Sequence, residues 1–137
     1  MLLQNLKLIE SSAVSISFQQ NVTSSGNGTV KVEYGTVDFE AGGHLTDSPE
    51  TTVIALRATP CIRGFRKDIE HTEGQEDFIL KIEMRMLYAF DSKLKLSESF
   101  IQDNKWYFAS FIRTYFKQYA EDILKNTTLH GIKLQAN

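Results

Sequence analysis

Residues 78 to 90 read FILKIEMRMLYAF, and every even-numbered position is apolar: Phe78, Leu80, Ile82, Met84, Met86, Tyr88 and Phe90. Lys81, Glu83 and Arg85 stand between them. This period of two predicts a long β-strand with one apolar face and one charged face. At roughly 3.3 Å per residue it spans on the order of 40 Å, so it requires long partners and an apolar cover. Leu6 and Leu8, then Val14, Ile16 and Phe18, alternate on either side of Ser11 and Ser12 and predict a first strand bent at the serines. Val30, Val32 and Tyr34 alternate on even numbers, and after Gly35 the pattern resumes on odd numbers at Val37 and Phe39. A one-residue slip beside a glycine predicts one kinked second strand containing a bulge. The stretch TTVIALRATPCIRGFR, residues 51–66, gives a third strand, with Pro60 marking an edge or a bulge. Residues 19–29, 40–50 and 66–77 read as connections.

The period changes after Lys93. Trp106, Phe108, Phe111, Ile112, Tyr115, Phe116, Tyr119, Ile123 and Leu124 recur at spacings of three and four, which predicts a helix with a broad apolar stripe. Arg113, Thr114, Lys117, Gln118, Glu121, Asp122 and Lys125 fill the opposite side, and Ser97 can cap a short preceding helix over 97–103. The expected class is α+β: a four-stranded antiparallel Greek-key or meander sheet followed by one long C-terminal helix, in a single domain spanning 1–137.

A chain of 137 residues that is 42% hydrophobic can build one real core. Its formal charge of −2 and pI of about 5.9 lack the basic footprint of a nucleic-acid binder. Cys61 is the only cysteine, so no intrachain disulfide forms. The opening MLLQNLKLIE has neither the basic region nor the continuous apolar run of a signal peptide. No run reaches the ~18 apolar residues of a membrane span. The expectation is a soluble cytoplasmic protein with no membrane insertion.

Reactive chemistry is sparse. His44, His71 and His130 fall in three separate connections, without HxH, HxxxH or HExxH spacing. Glu70, Glu73, Glu76 and Asp77 near His71 read as a solvated acidic loop rather than a metal site. Cys61 follows Pro60 with no histidine nearby and reads as a small buried hydrophobe. The AGGH at 41–44 lacks the lysine and the strand-to-helix setting of a phosphate loop. No enzyme, no metal and no cofactor are expected. Apolar surface, by contrast, is in excess: nine Phe, five Tyr, one Trp and three Met are more than one sheet and one helix need. The helix stripe is wider than the roughly 100° a single sheet covers, so surplus surface is left for self-association or for an apolar ligand.

The strand DFILKIEMRMLYAF, followed by a charged segment and the helix WYFASFIRTYFKQYAEDILKNTTLHGIKL, resembles the bacterial SecB-type chaperone family. Phe108 and Phe111 match the family's apolar positions before the helix arginine, and Arg113 resembles that arginine. Ile123 and Leu124 match its aliphatic repeat, Gly131 and Leu134 its ending, and TTVIALRATPCIRG its preceding strand. Ala109 and Ser110 stand where the family has Pro-Tyr. Lys81, with Glu83 two residues on, occupies the position of a carboxylate with which the family docks the translocation ATPase, so hand-off to that ATPase is not implied.

The resemblance implies an ATP-independent holdase for unfolded or nascent polypeptides, assembled as a dimer or a tetramer of paired dimers. It would serve protein export or act as the dedicated chaperone of an antitoxin. Tyr34, Val37 and Phe39 on the kinked strand, with Trp106, Tyr107 and Phe111 near the helix start, are the expected client groove. Lys81, Glu83 and Arg85 are expected on the outer sheet face. A carrier of small hydrophobic ligands, enclosed between helix and sheet, is the alternative from another class.

Overall fold

The computed structural model describes residues 1–22, 28–45, 48–66, 76–127 and 129. After a 3-10 turn at Leu3–Asn5, these residues form β1 (Lys7–Gln20), β2 (Gly28–Glu33), β3 (Val37–Leu45), β4 (Ser48–Ala58), β5 (Cys61–Arg66) and β6 (Phe78–Asp91). Two helices follow, α1 (Glu98–Asp103) and α2 (Lys105–Leu124). Every strand pairing is antiparallel, and β6 is the spine. β1 runs along one side of it, from Lys7↔Ala89 to Gln20↔Phe78. β4 and β5 share the other side, β4 from Thr51↔Asp91 to Ala58↔Met84 and β5 from Cys61↔Lys81 to Gly64↔Phe78. β3 pairs with β4 and β2 with β5 to form the far edge. The α+β class is as expected, and the strand paths follow a Greek-key order.

The four expected strands are six, because two of them are interrupted. Thr59 and Pro60 separate β4 from β5, where proline has no N–H to give the ladder. The Pro60 carbonyl accepts from the Ile82 amide at 3.1 Å and holds β6 across the gap. Residues 34–36 separate β2 from β3, with Gly35 at φ +63°. The slip in hydrophobic phase beside Gly35 therefore marks a gap between strands rather than a bulge within one. The two gaps abut: a Cβ on Gly35 would stand 2.6 Å from the Thr59 carbonyl oxygen.

Three further expectations are corrected. Of residues 40–50, expected as a loop, 40–45 and 48–50 are strand, since β3 continues to Leu45, which pairs with Ser48 of β4. The double glycine, which reads as a connection, is absorbed where the register slips between Ala41 and His44. β1 bends at two shifts, between Leu8 and Glu10 and between Ala13 and Ser15, rather than at the serines themselves. The single long helix is two. Ser97 caps α1, accepting from the Phe100 amide at 3.1 Å, and Asn104 (φ −121°, ψ 29°) leaves helical geometry before α2 begins.

The core lies between α2 and the even-numbered face of β6. Phe108, Ile112, Phe116, Ala120 and Leu124, each four residues from the next, are the buried ridge of α2. They join Leu56, Ala58, Ile62, Leu80, Ile82, Met84, Met86 and Tyr88 in one cluster. Phe78 lies across Gly64, its cross-strand partner, so that a Cβ there would run into the ring. Phe18 of β1 packs on the same ring at 6.4 Å.

Candidate functional site

α2 is narrower than the sheet it covers, and aromatic side chains flank it on both sides. On one side lies the edge formed by β2 and β3. Val37 and Phe39 sit in register with Ala58 and Leu56, and through them with Met84 and Met86, so both face the helix. Phe39 meets Phe108 edge-on at 5.1 Å, and Tyr34 meets Phe116 edge-on at 6.1 Å. The Arg113 guanidinium lies 5.8 Å from the Tyr34 ring centroid, a cation–π contact that pins the phenol beside the helix. Val37 remains 41% exposed.

On the other side lies β1. Tyr107, Phe111, Tyr115 and Tyr119 are spaced by four along α2 and form a second ridge. Tyr119 shares a hydrogen bond of 2.7 Å with Ser11 of β1, which fixes the direction in which this ridge leans. Tyr107 and Phe111 pack edge-on at 5.1 Å, and both touch the buried Tyr88 ring, at 6.5 and 6.0 Å. Burial pushes the Tyr88 phenol well above its ordinary pKa, with Tyr107 and Tyr115 adding to the effect, and burial also raises Tyr107. A hollow of about 230 Å³ opens between Leu8, Ile9, Glu10, Ser11 and Tyr115.

The six residues expected to form one groove are thus distributed. Tyr34, Val37 and Phe39 line the β2–β3 side, while Tyr107 and Phe111 belong to the ridge that leans toward β1. Trp106, at the start of α2, stands 63% exposed and makes an edge contact to Tyr107 at 6.0 Å. Sequence reasoning missed Ile9, Val14 and Ile16, which are 47%, 49% and 52% exposed on β1. Ile9 and Val14 are the residues left over at the two register shifts. The broken alternation around the serines was the signal that could have found them.

Lys81, Glu83 and Arg85 project from the odd-numbered face of β6, opposite the helices. The same face carries a cluster at β2 and β5. The Glu76 carboxylate, 8% exposed, pairs with Arg63, whose Nε lies 3.9 Å from Glu33, which in turn pairs with Lys31 at 3.3 Å. Cys61 is buried, with its thiol 3.9 Å from the Glu33 carboxylate. No group of three His, Cys, Asp or Glu side chains among the described residues could hold a metal ion. His44 lies in β3, whereas His71 and His130, together with Gly131 and Leu134, lie outside the described residues. No helix among the described residues is long and apolar enough to cross a membrane.

No family model matches the sequence, and no curated relative matches it. The fold, however, is similar to that of a SecB-like chaperone of Mycobacterium tuberculosis, Rv1957, solved in complex with a ChAD peptide from the HigA1 antitoxin, Rv1956. The two superpose with a TM-score of 0.72 at 12% identity, covering 96% of this chain and 90% of that one. The chain therefore has the SecB-like fold that the sequence resemblance implied.

Proposed function

From this SecB-like fold we propose that the chain is an ATP-independent holdase that takes extended, unfolded polypeptide segments into the apolar channels flanking α2. The observation that carries the reading is the width of the aromatic surface: two ridges on α2, whose start leaves Trp106 in water, over a sheet whose far margins leave Val37, Ile9, Val14 and Ile16 in water. Aromatics of this kind accept many side chains, and sheet edges pair with any backbone, so selectivity for sequence is low and selectivity for the unfolded state is high. The peptide-bound Rv1957 complex supports an antitoxin as the client over a general export substrate. The exposed apolar side chains of β1 support self-association as a dimer or a tetramer of paired dimers. The chain carries out no catalysis and works in the cytoplasm. A lipid-like cargo is the weaker reading, because the hollow beside β1 is small and Glu10 and Ser11 contribute to its wall.

The test is capture of a slow-folding, chemically unfolded polypeptide, followed by light-scattering size exclusion. A multimer that retains the unfolded chain and ignores its folded form supports the reading. A monomer that lets the unfolded chain aggregate refutes it. Trp106→Ala should weaken capture about ten-fold, equivalent to about 1.4 kcal/mol; unchanged affinity in a folded variant removes Trp106 from the site.

A further inference from the structure

The face of the sheet turned away from the helices carries a charge arrangement that holding clients in the channels does not use. Arg57 of β4 and Arg85 of β6 are direct cross-strand partners. Like charges placed opposite one another destabilise a strand pair. Arg57 is compensated from the edge, with Asp38 opposite it in β3 and Glu40 at 3.5 Å. Arg85 is not: its other neighbour in register is Ser12 of β1, and no carboxylate among the described residues lies within 4.0 Å of it. Lys81, four residues away on the same face and opposite Ser17 and Cys61, likewise has no ion pair among the described residues. Lys7 lies opposite Ala89, a further four residues along in register. The cations thus recur every four positions along the β1–β6 seam, at intervals of roughly 13 Å. The acids on this seam are interleaved with them: Glu83 opposite Ser15, and Glu10 opposite Leu87.

We infer that this outer face docks an extended acidic segment of a protein partner, whose carboxylates, spaced four residues apart, sit over Lys81, Arg85 and Lys7. The carboxylate over Arg85 would also neutralise the Arg57–Arg85 pair. Interleaved Glu83 and Glu10 select against a continuous acidic run and favour a basic or neutral residue between the acids. They also argue against a nucleic acid, whose charges do not alternate, as does the overall charge of −2. The inference goes beyond the holdase reading, since it concerns the opposite face, and neither Lys81, Arg85 nor Lys7 lines the hollow beside β1.

Fluorescence anisotropy with a labelled nine-residue peptide, in which Glu at positions one, five and nine alternates with Thr and Lys, tests it. Controls are the same peptide with every Glu replaced by Lys and a single-stranded oligonucleotide. The wild-type protein should bind the acidic peptide, lose most of that affinity between 50 and 300 mM salt, and bind both controls at least ten-fold more weakly. Arg85→Glu should abolish peptide binding yet raise the thermal midpoint, because it turns a repulsive pair into an attractive one; Arg85→Gln should weaken binding about ten-fold at unchanged or higher stability. Client capture by both variants should equal wild type, which separates this face from the channels. Absence of binding by wild type, binding unaffected by Arg85→Glu, a lowered midpoint in both variants, loss of peptide binding in Trp106→Ala, or tighter binding of the oligonucleotide each overturns the proposal.

Discussion

Gly35→Ala should destabilise the protein far more than a single methyl group suggests. Gly35 sits at φ +63°, where an alanine costs about 1 kcal/mol or more relative to its ordinary basins. The new Cβ would also stand 2.6 Å from the Thr59 carbonyl oxygen and 2.7 Å from its Oγ1, well inside the 3.4 Å at which ordinary contact begins. The hydroxyl can rotate away, but the carbonyl belongs to the gap between β4 and β5 and cannot move without disturbing Pro60, whose own carbonyl holds Ile82. Overpacking against rigid neighbours adds about 1–3 kcal/mol. The expected loss is about 2–4 kcal/mol, or roughly 6–12 °C in thermal midpoint for a domain of this size. Urea unfolding followed by fluorescence, together with calorimetry, measures it. Gly35→Asn separates the two causes, because asparagine tolerates the left-handed region but carries the same Cβ; it should recover only the conformational part. A loss below about 0.5 kcal/mol for alanine, or wild-type stability for asparagine, would refute the account of two abutting gaps.

Glu76→Ala leaves Arg63 beside only the more distant Glu33, and breaking such a buried pair should cost about 3 kcal/mol, at the low end of its range because Glu33 can partly substitute; urea unfolding that shows less than about 1 kcal/mol would mean that Glu33 replaces it fully. Tyr88 has a raised folded-state pKa, so its contribution is intact below pH 10 and is lost as the unfolded state ionises above it, at about 1.4 kcal/mol per pH unit. Stability measured from pH 9 to 12 should stay level up to about pH 10 and then fall with a slope approaching that value, and Tyr88→Phe should make the fall shallower; an unchanged slope in the variant would place the titration elsewhere.

The parts of the fold legible in the sequence are those where one face alone decides. β6 alternates cleanly because α2 covers its even positions and nothing described covers its odd ones, so FILKIEMRMLYAF carries its own assignment. The breaks were legible only as symptoms. The phase slip at Gly35 and the proline at 60 both registered, but a slip looks the same whether one residue bulges out or the strand stops. The difference lies in which partner each half joins, β5 for β2 and β4 for β3, and that is a tertiary fact. The hairpin of β3 and β4 was hidden because Gly42 and Gly43 carry no side-chain pattern, and a register slip is what accommodates them. On the candidate site, sequence periodicity placed the aromatics along α2 but could not divide them between its two sides.

That division follows from the helix itself. Residues spaced by four advance about 40° around an α-helix at each step, so a buried ridge running from Phe108 to Leu124 cannot keep one fixed line against the sheet. It sweeps from the Phe39 edge, where Phe108 packs, while the neighbouring ridge swings toward β1 and closes with the Tyr119–Ser11 hydrogen bond. A straight polar helix face would leave one groove. On the proposed holdase reading, a ridge that turns across a wide sheet leaves two, each walled by aromatics from α2 and floored by a strand at the margin. Val37 lies on the floor of one, and Ile9 helps wall the other, with Val14 and Ile16 further along the same strand. A client long enough to cross both would be held at two separated places by non-directional contacts. Partial release at one is then reversible, which is what a holdase needs and what a closed ligand cavity does not provide.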